Sequence, residues 1–340
     1  MREFLCPSCG QRLTFENSLC LGCRSTVGFD PETRSFAVLT PEGVRAEGSG
    51  DSRCANREIA VCNWLAPVGR SSGLCVSCAL TRTRPADADF RALPAFAEAE
   101  TAKRRLIFEL IEVGLPIRGR DVDPETGLCF DLLSSSHEPV VTGHAGGVIT
   151  LDLAEGDDVH REQLRVSMGE PYRTLLGHFR HEVGHYYFTM LAETGAGHAR
   201  FVELFGDPDA DYQAALNRHY QEGPPRDWRQ TYVSAYATMH PAEDWAETFA
   251  HYLHVRDALD TAAAFGLAPA AATLTTPLPG AVGFGRIVDL WLPLAWSLNM
   301  INRSMGRPDL YPFVLPVPAL DKMRLVHELV TAGRDAGSTA

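Results

Sequence analysis

The sequence predicts an α+β protein in which small cysteine-rich modules precede a mainly α-helical domain with a small sheet. Three observations lead there. Eight of the nine cysteines lie before residue 80, in a stretch rich in Gly and Ser with little helical periodicity. From about residue 95 apolar residues recur at helical spacing, as in Leu106, Ile107, Leu110 and Ile111. Between helical stretches, "PVVTGHAGGVITLDLAEGDD" reads as β structure, with Val148, Ile149, Leu151 and Leu153 before an acidic turn.

The cysteines come first in the chain. Cys6-Pro-Ser-Cys9 and Cys20-Leu-Gly-Cys23 are two CxxC turns. Each turn aims two thiolates at one point, and two turns complete a tetrahedral zinc site. Gly10 and Gly22 suit the tight backbone of such knuckles. The second set is looser: Cys54, Cys62 and Cys75-Val-Ser-Cys78. Its single CxxC turn needs two partners, and Cys54 and Cys62 can supply them. The competing reading makes Cys54 or Cys62 a buried small apolar residue. "MREFLCPSCG" has no apolar leader, so the chain is expected in the cytoplasm, where clustered cysteines suggest metal sites rather than disulfides. The expected organisation is a zinc ribbon at 1–30, a second four-cysteine zinc module at 31–85, a linker in "TRTRPADADF", and the main domain at 95–335.

Composition narrows the partners. A net charge of −12 argues against a large nucleic-acid surface. Residues 1–85 hold ten arginines and eight acids, and two four-thiolate zinc sites bring that region to about −2. "CNWLAP" offers one aromatic, Trp64, and no stacking platform. Folding support or docking of a protein partner therefore suits the modules better than DNA or RNA. No membrane span is expected, because the longest apolar run, "IVDLWLPLAWSLNM", is too short and carries Pro293. Only two lysines, Lys103 and Lys322, stand against 29 arginines, which reads as codon-usage bias.

In the main domain, "PYRTLLGHFRHEVGHYYFTML" predicts a helix starting after Pro171, with Leu175, Leu176, Phe179, Val183 and Met190 as its core-facing stripe. It contains His181-Glu182-Val183-Gly184-His185. Residues four apart share one helix face, so both imidazoles can meet one ion, with Glu182 beside them to take a proton from water. This pattern arises by chance only about 0.03 times in a chain of this composition. His178, one turn earlier, is given no ligand role. A second helix, "HPAEDWAETFAHYLHVRDAL", has Pro241 at its first position. Glu243 and Glu247 lie four apart on it, so one can bind the metal while the other hydrogen-bonds a ligand imidazole. His251 continues that face and reads as packing or a polar contact. "RIVDLWLPLAWSLNMINRSMG" is a further helix, followed by an extended "RPDLYPFVLPVP". The "GGVITLDL" strand is either a sheet edge that receives an extended peptide or a plain core strand; His144 beside it stays unassigned.

The HExxH helix followed by a helix with an acidic third ligand resembles the gluzincin metallopeptidases. The sharper resemblance is to sites of the anthrax lethal factor type, with a Tyr seven residues before the ligand Glu and an acid four after it. Here those positions are Tyr236, Glu243 and Glu247. The ribbon with "GHFRHEVGHYYF", "YVSAYATMHPAEDWAETFAHYLH" and "NRSMGRPDLYPFVL" resembles, over nearly the whole chain, bacterial zinc-binding metallopeptidases with an N-terminal zinc ribbon. The resemblance implies a zincin-like domain and one catalytic zinc on His181, His185 and Glu243. It also implies Glu182 as general base, Tyr236 as oxyanion donor, Glu247 behind a ligand imidazole, and a peptide or protein substrate. Two structural zincs complete the expected cofactors. The interval from His185 to Glu243 exceeds that of thermolysin-like enzymes, which leaves residues 193–225 as an insertion of unknown role. The rival expectation is a zinc-ribbon adaptor with a latent or inactive metallopeptidase domain; an intact Glu182 argues against it, because a scaffold needs no base.

Overall fold

The structure, a computed structural model, describes residues 2–136, 139–156, 174–268 and 280–337. It divides into two units, residues 1–108 with 118–157, and residues 109–117 with 158–340. Short strands and sheets accompany seven α-helices among the described residues, so the α+β expectation holds.

In the first unit, β1 (Phe4–Leu5) and β2 (Arg12–Leu13) form an antiparallel pair. The first CxxC turn lies between them. Gly10, at φ 74°, donates its N–H to the Cys6 carbonyl at 2.9 Å. In the second turn the corresponding donor is Arg24 N to the Cys20 carbonyl, also at 2.9 Å, and Arg24 itself has φ 62°. The left-handed residue of the second knuckle is therefore Arg24, two residues after Gly22. A Cβ on Gly22 would lie 3.4 Å from the Gln11 side chain and 3.6 Å from Cys9 Sγ, so that glycine keeps room beside the thiol.

Two further antiparallel pairs follow, β3 (Val27–Asp30) with β4 (Ser35–Val38), and β5 (Ser52–Arg53) with β6 (Leu65–Ala66). Strands this short cannot build a core by themselves. Aromatic rings supply it: Phe29 lies 4.9 Å from Phe15, 5.4 Å from Trp64 and 5.6 Å from Phe108 between centroids. Trp64 is fully buried, so it offers no face on which a base could stack.

The same unit holds a four-stranded sheet of β7 (Thr81–Thr83), β8 (Cys129–Leu133), β9 (Gly143–Ala145) and β10 (Val148–Asp152), in the order β7-β8-β10-β9. β10 runs parallel to β8 and antiparallel to β9. Of the two readings of "GGVITLDL", the peptide-receiving edge is thus excluded. β10 has both sides paired, and Ile149 and Leu151 are fully buried. His144 Nε2 accepts a hydrogen bond from Gly147 N at 3.2 Å, closing the Gly146-Gly147 hairpin turn. Asp157 and Asp158 of the expected acidic turn lie outside the described residues. Helix α1 (Leu93–Val113) carries Lys103, fully buried, with Nζ 2.6 Å from Glu100 and 5.3 Å from the Phe130 ring.

The second unit contains α2 (Leu175–Leu191), α3 (Gly195–Phe205), α4 (Tyr212–Glu222), α5 (Pro241–Ala264), α6 (Gly280–Ser304) and α7 (Val317–Gly337). Helix α2 begins at Thr174, whose Oγ1 accepts from Gly177 N at 3.0 Å; Pro171 lies outside the described residues. Its apolar stripe differs from the expected one. Phe179 and Val183 are buried as expected, but Leu175 and Leu176 are half-buried and Met190, in the last turn, is 36% exposed. Tyr186 and Tyr187 do the packing there instead. Tyr187 stacks on Phe249 at 5.7 Å and donates to the Pro116 carbonyl at 3.0 Å.

Helices α2 and α5 meet backbone to backbone. A Cβ on Gly184 would lie 3.0 Å from Ala246 Cα and 3.2 Å from its carbonyl oxygen. Trp245 Nε1 donates to the Gly184 carbonyl at 2.9 Å inside this contact. Lys322 of α7 is buried against Asp244 at 2.5 Å, with Nζ 4.2 Å from the Tyr232 ring centroid. No helix among the described residues is long and apolar enough to cross a membrane.

Candidate metal centres

The close approach of α2 and α5 decides what the polar residues between them can do. His181 and His185 project from one face of α2, and α5 begins just where a carboxylate can reach them. His240 caps α5: its Nδ1 accepts from Ala242 N at 3.1 Å, so Nε2 carries the ring proton and donates to the Ala210 carbonyl at 2.9 Å. Pro241 follows at the first helical position, and Glu243 stands in the first turn.

His181 Nε2 lies 3.0 Å from Glu243 Oε2 and 3.2 Å from His185 Nε2, and His185 Nε2 lies 3.5 Å from Glu243 Oε2. A tetrahedral ion with bonds of ~2.0–2.1 Å has edges of ~3.3–3.4 Å. The triangle therefore fits one face of such a tetrahedron. Two imidazoles and one carboxylate are also a donor set that zinc takes.

The surroundings call for a cation. Glu247 Oε1 accepts from His181 Nδ1 at 2.8 Å, so His181 is held between two carboxylates, one on each ring nitrogen. Burial opposes charge on this ring, yet Glu243 and Glu247 raise its pKa well above the ordinary value. Burial likewise pushes the Glu243 carboxyl up, but hydrogen bonds from His181 and His185 outweigh it and hold the group far below the usual range. Glu182 follows the same balance. Burial raises it, and His178 with the neighbouring imidazoles brings it below the ordinary value. Its Oε1 lies 3.1 Å from His178 Nε2, whereas Oε2 is buried with no hydrogen-bond partner among the described residues.

Tyr236 stands beside this centre with its ring 6.0 Å from that of His181. Burial, aided by the Glu243 charge, pushes its phenol pKa up, so it keeps its proton and can donate it. His251 is apart from the triangle: Nδ1 lies 2.8 Å from Tyr311 Oη, the ring packs 4.3 Å from that of Phe313, and burial lowers its pKa to about 4. It packs and makes a polar contact. One contributor was missed. Tyr212, from the insertion of unknown role, donates from Oη to Glu243 Oε1 at 2.9 Å. Its sequence signal is confined to the Asp211 helix cap before it and says nothing of the site.

The cysteines gather in two groups of four. Cys6 and Cys23 Sγ are 3.7 Å apart, Cys9 and Cys20 3.6 Å, and Cys62 and Cys75 3.7 Å. Zinc–sulfur bonds of ~2.3 Å give tetrahedral edges of ~3.7–3.8 Å, so the spacing suits one ion in each group. Within each group the four Sγ atoms all lie within 4.8 Å of one another, and all nine cysteines are free thiols. Cys54 and Cys62 are buried, but as members of a four-sulfur group rather than as isolated apolar residues.

A helix carrying two imidazoles, a second helix supplying a carboxylate, and two four-cysteine groups ahead of them define a zinc-binding protein with a ribbon and a peptidase-like metal centre. The chain belongs to the family described as "Putative zinc-binding metallo-peptidase", whose model matches residues 92–329, and a zinc-ribbon domain model matches residues 3–89. Uncharacterized proteins of Mycobacterium tuberculosis and Mycobacterium bovis are 62% identical over 331 residues, which is 97% of this chain and 95% of each relative. No solved structure matches the chain.

Proposed function

We propose that the chain is a zinc-dependent peptidase of the gluzincin kind, with one catalytic and two structural zincs, working in the cytoplasm on a peptide or protein substrate. The observation that carries this reading is the difference in donor number. Each cysteine group offers four protein donors, the number of a closed structural site. The His181–His185–Glu243 group offers three, the number of catalytic sites, and next to it stands an acid with an oxygen that has no partner among the described residues.

Zinc held there supplies a Lewis acid that polarises the scissile carbonyl and brings the pKa of a water down towards ~7. Glu182 would accept the proton of an attacking water on Oε2 as the water oxygen bonds to the carbonyl carbon, while His178 keeps Oε1 in place. The same proton passes to the amide nitrogen as the C–N bond breaks. Tyr236 donates a hydrogen bond to the carbonyl oxygen as charge develops on it. Glu247 holds the His181 Nδ1–H, which directs Nε2 towards the centre. The four-cysteine groups support folding and present a surface for a protein partner.

The test is a mass-spectrometric screen of an unbiased peptide library, comparing zinc-replete wild type with Glu182→Gln at equal metal content. Cleavage by wild type alone supports the mechanism. Equal cleavage by both removes Glu182 as the base, and no cleavage by either shifts the reading to a ribbon-based adaptor with a latent domain.

A further inference from the structure

Helix α4 gives residues 193–225 a part in the site. We infer that Tyr212 is a positioning residue that restricts Glu243 to ligation through a single oxygen, an inference that rests on reading His181, His185 and Glu243 as the zinc ligands. A carboxylate can bind a metal through one oxygen or both. Glu243 Oε1 is engaged by the Tyr212 hydroxyl at 2.9 Å, while Oε2 faces His181 Nε2 at 3.0 Å and His185 Nε2 at 3.5 Å. With Oε1 so held, an ion there would take three protein donors and would keep a position open for substrate.

The local structure is built to hold this contact. Asp211 caps α4, accepting from Ala214 N at 2.9 Å, and so sets Tyr212 at the first helical position. His240 ties the two helix starts together: Nε2 bonds the Ala210 carbonyl, two residues before Tyr212, while Nδ1 caps α5, three residues before Glu243. The His240 ring also meets the Tyr212 ring edge-on at 5.2 Å. Core packing does not account for the tyrosine, because 42% of its surface is exposed. The hydroxyl is the part that reaches the site.

Tyr212→Phe removes only that hydroxyl and keeps the ring against His240. The experiment places cobalt(II) in the His–His–Glu centre with zinc retained in the cysteine sites. It then records visible absorption and cobalt X-ray absorption for wild type and variant. The expected result is one additional oxygen donor and weaker d–d bands in Tyr212→Phe, as Glu243 swings both oxygens onto the ion. Asp211→Ala, which loosens the start of α4 without touching the site, should give the same change to a smaller degree. On peptides, kcat should fall ~10–100-fold with KM unchanged, the size expected when a group orienting a ligand is lost. Unchanged cobalt coordination in both variants overturns the inference. So does a loss of kcat at unchanged coordination, which would place Tyr212 on the substrate. The spectra need no turnover, so a wild type that cleaves nothing would refute the proposed peptidase activity and still leave the role of Tyr212 decidable.

Discussion

Gly184→Ala isolates the contact on which the metal centre depends. The added Cβ would meet Ala246 Cα at 3.0 Å and the Ala246 carbonyl at 3.2 Å, both backbone atoms that cannot turn aside. Helices α2 and α5 must therefore part by a few tenths of an ångström. Overpacking of this kind costs ~1–3 kcal/mol. Helix propensity opposes it, since alanine is favoured over glycine in a helix interior by ~1 kcal/mol. The fold should thus lose only ~0–2 kcal/mol. The metal centre is less forgiving, because its histidines ride on α2 and its glutamate on α5. Ligand distances in zinc sites hold to about ±0.2 Å, and small losses of ligand orientation cost ~10–100-fold in affinity. The assay pairs thermal unfolding of the zinc-free protein with zinc affinity measured by chelator competition. A small change in unfolding and a tenfold or greater loss of affinity at the His–His–Glu centre is the expected outcome. A more stable variant with unchanged affinity would refute the reasoning that the Gly184–Ala246 approach sets the ligand triangle.

Three other outcomes follow from separate parts of the structure. Tyr236→Phe should bind zinc as wild type does and lose ~10²–10³ in kcat, the typical cost of one oxyanion donor; steady-state kinetics at matched metal content checks it. In the second cysteine group, hydrogen bonding to Cys54 raises the pKa of Cys62, and burial raises that of Cys75. Both are protonated at neutral pH before metal binds, so zinc uptake there should release at least two protons, measurable by calorimetry in buffers of different ionisation heat. Affinity should fall as pH drops. Glu109 and Asp257 share one buried guanidinium, Arg180, at 2.9 and 3.0 Å, and burial raises Glu109 to about 8 against the pull of that arginine. Its folded pKa lies above the unfolded value of 4.5. Its contribution to stability is therefore complete below pH 4.5 and lost as pH rises through about 8, with a slope of up to ~1.4 kcal/mol per pH unit. Glu109→Gln should flatten that part of the pH–stability curve, as read from denaturant unfolding.

The parts of the site legible in the sequence are those whose chemistry is written in local spacing. Imidazoles at 181 and 185 face one point because the helix repeat puts them there, and CxxC turns converge within four residues. Glu243 and Glu247 could be placed on one helix face in the same way, but their distinct contacts with His181 needed the packing of α5 on α2. Tyr212 was hidden because it reaches Glu243 across 31 residues, through a loop held by His240, and no periodicity encodes that path. The inward burial of β10 was open in sequence because apolar runs suit edge and central strands alike, and only strand pairing separates them. The outward turn of Met190 and the left-handed Arg24 belong to the same category, since each is set by neighbours distant along the chain or by the turn as a whole. His178 was closer to legible. Its spacing of four from Glu182 already permits the pairing that the structure contains.

The two lysines have a use that their rarity conceals. Lys103 sits with Glu100 inside the first unit and Lys322 with Asp244 inside the second, so neither side-chain amine reaches solvent in the folded state. Every other side-chain cation of this kind is an arginine, which amine-directed reagents leave alone. Acylation at Lys103 or Lys322 thus requires that the unit around it open first, and the chain carries one internal reporter of unfolding for each half.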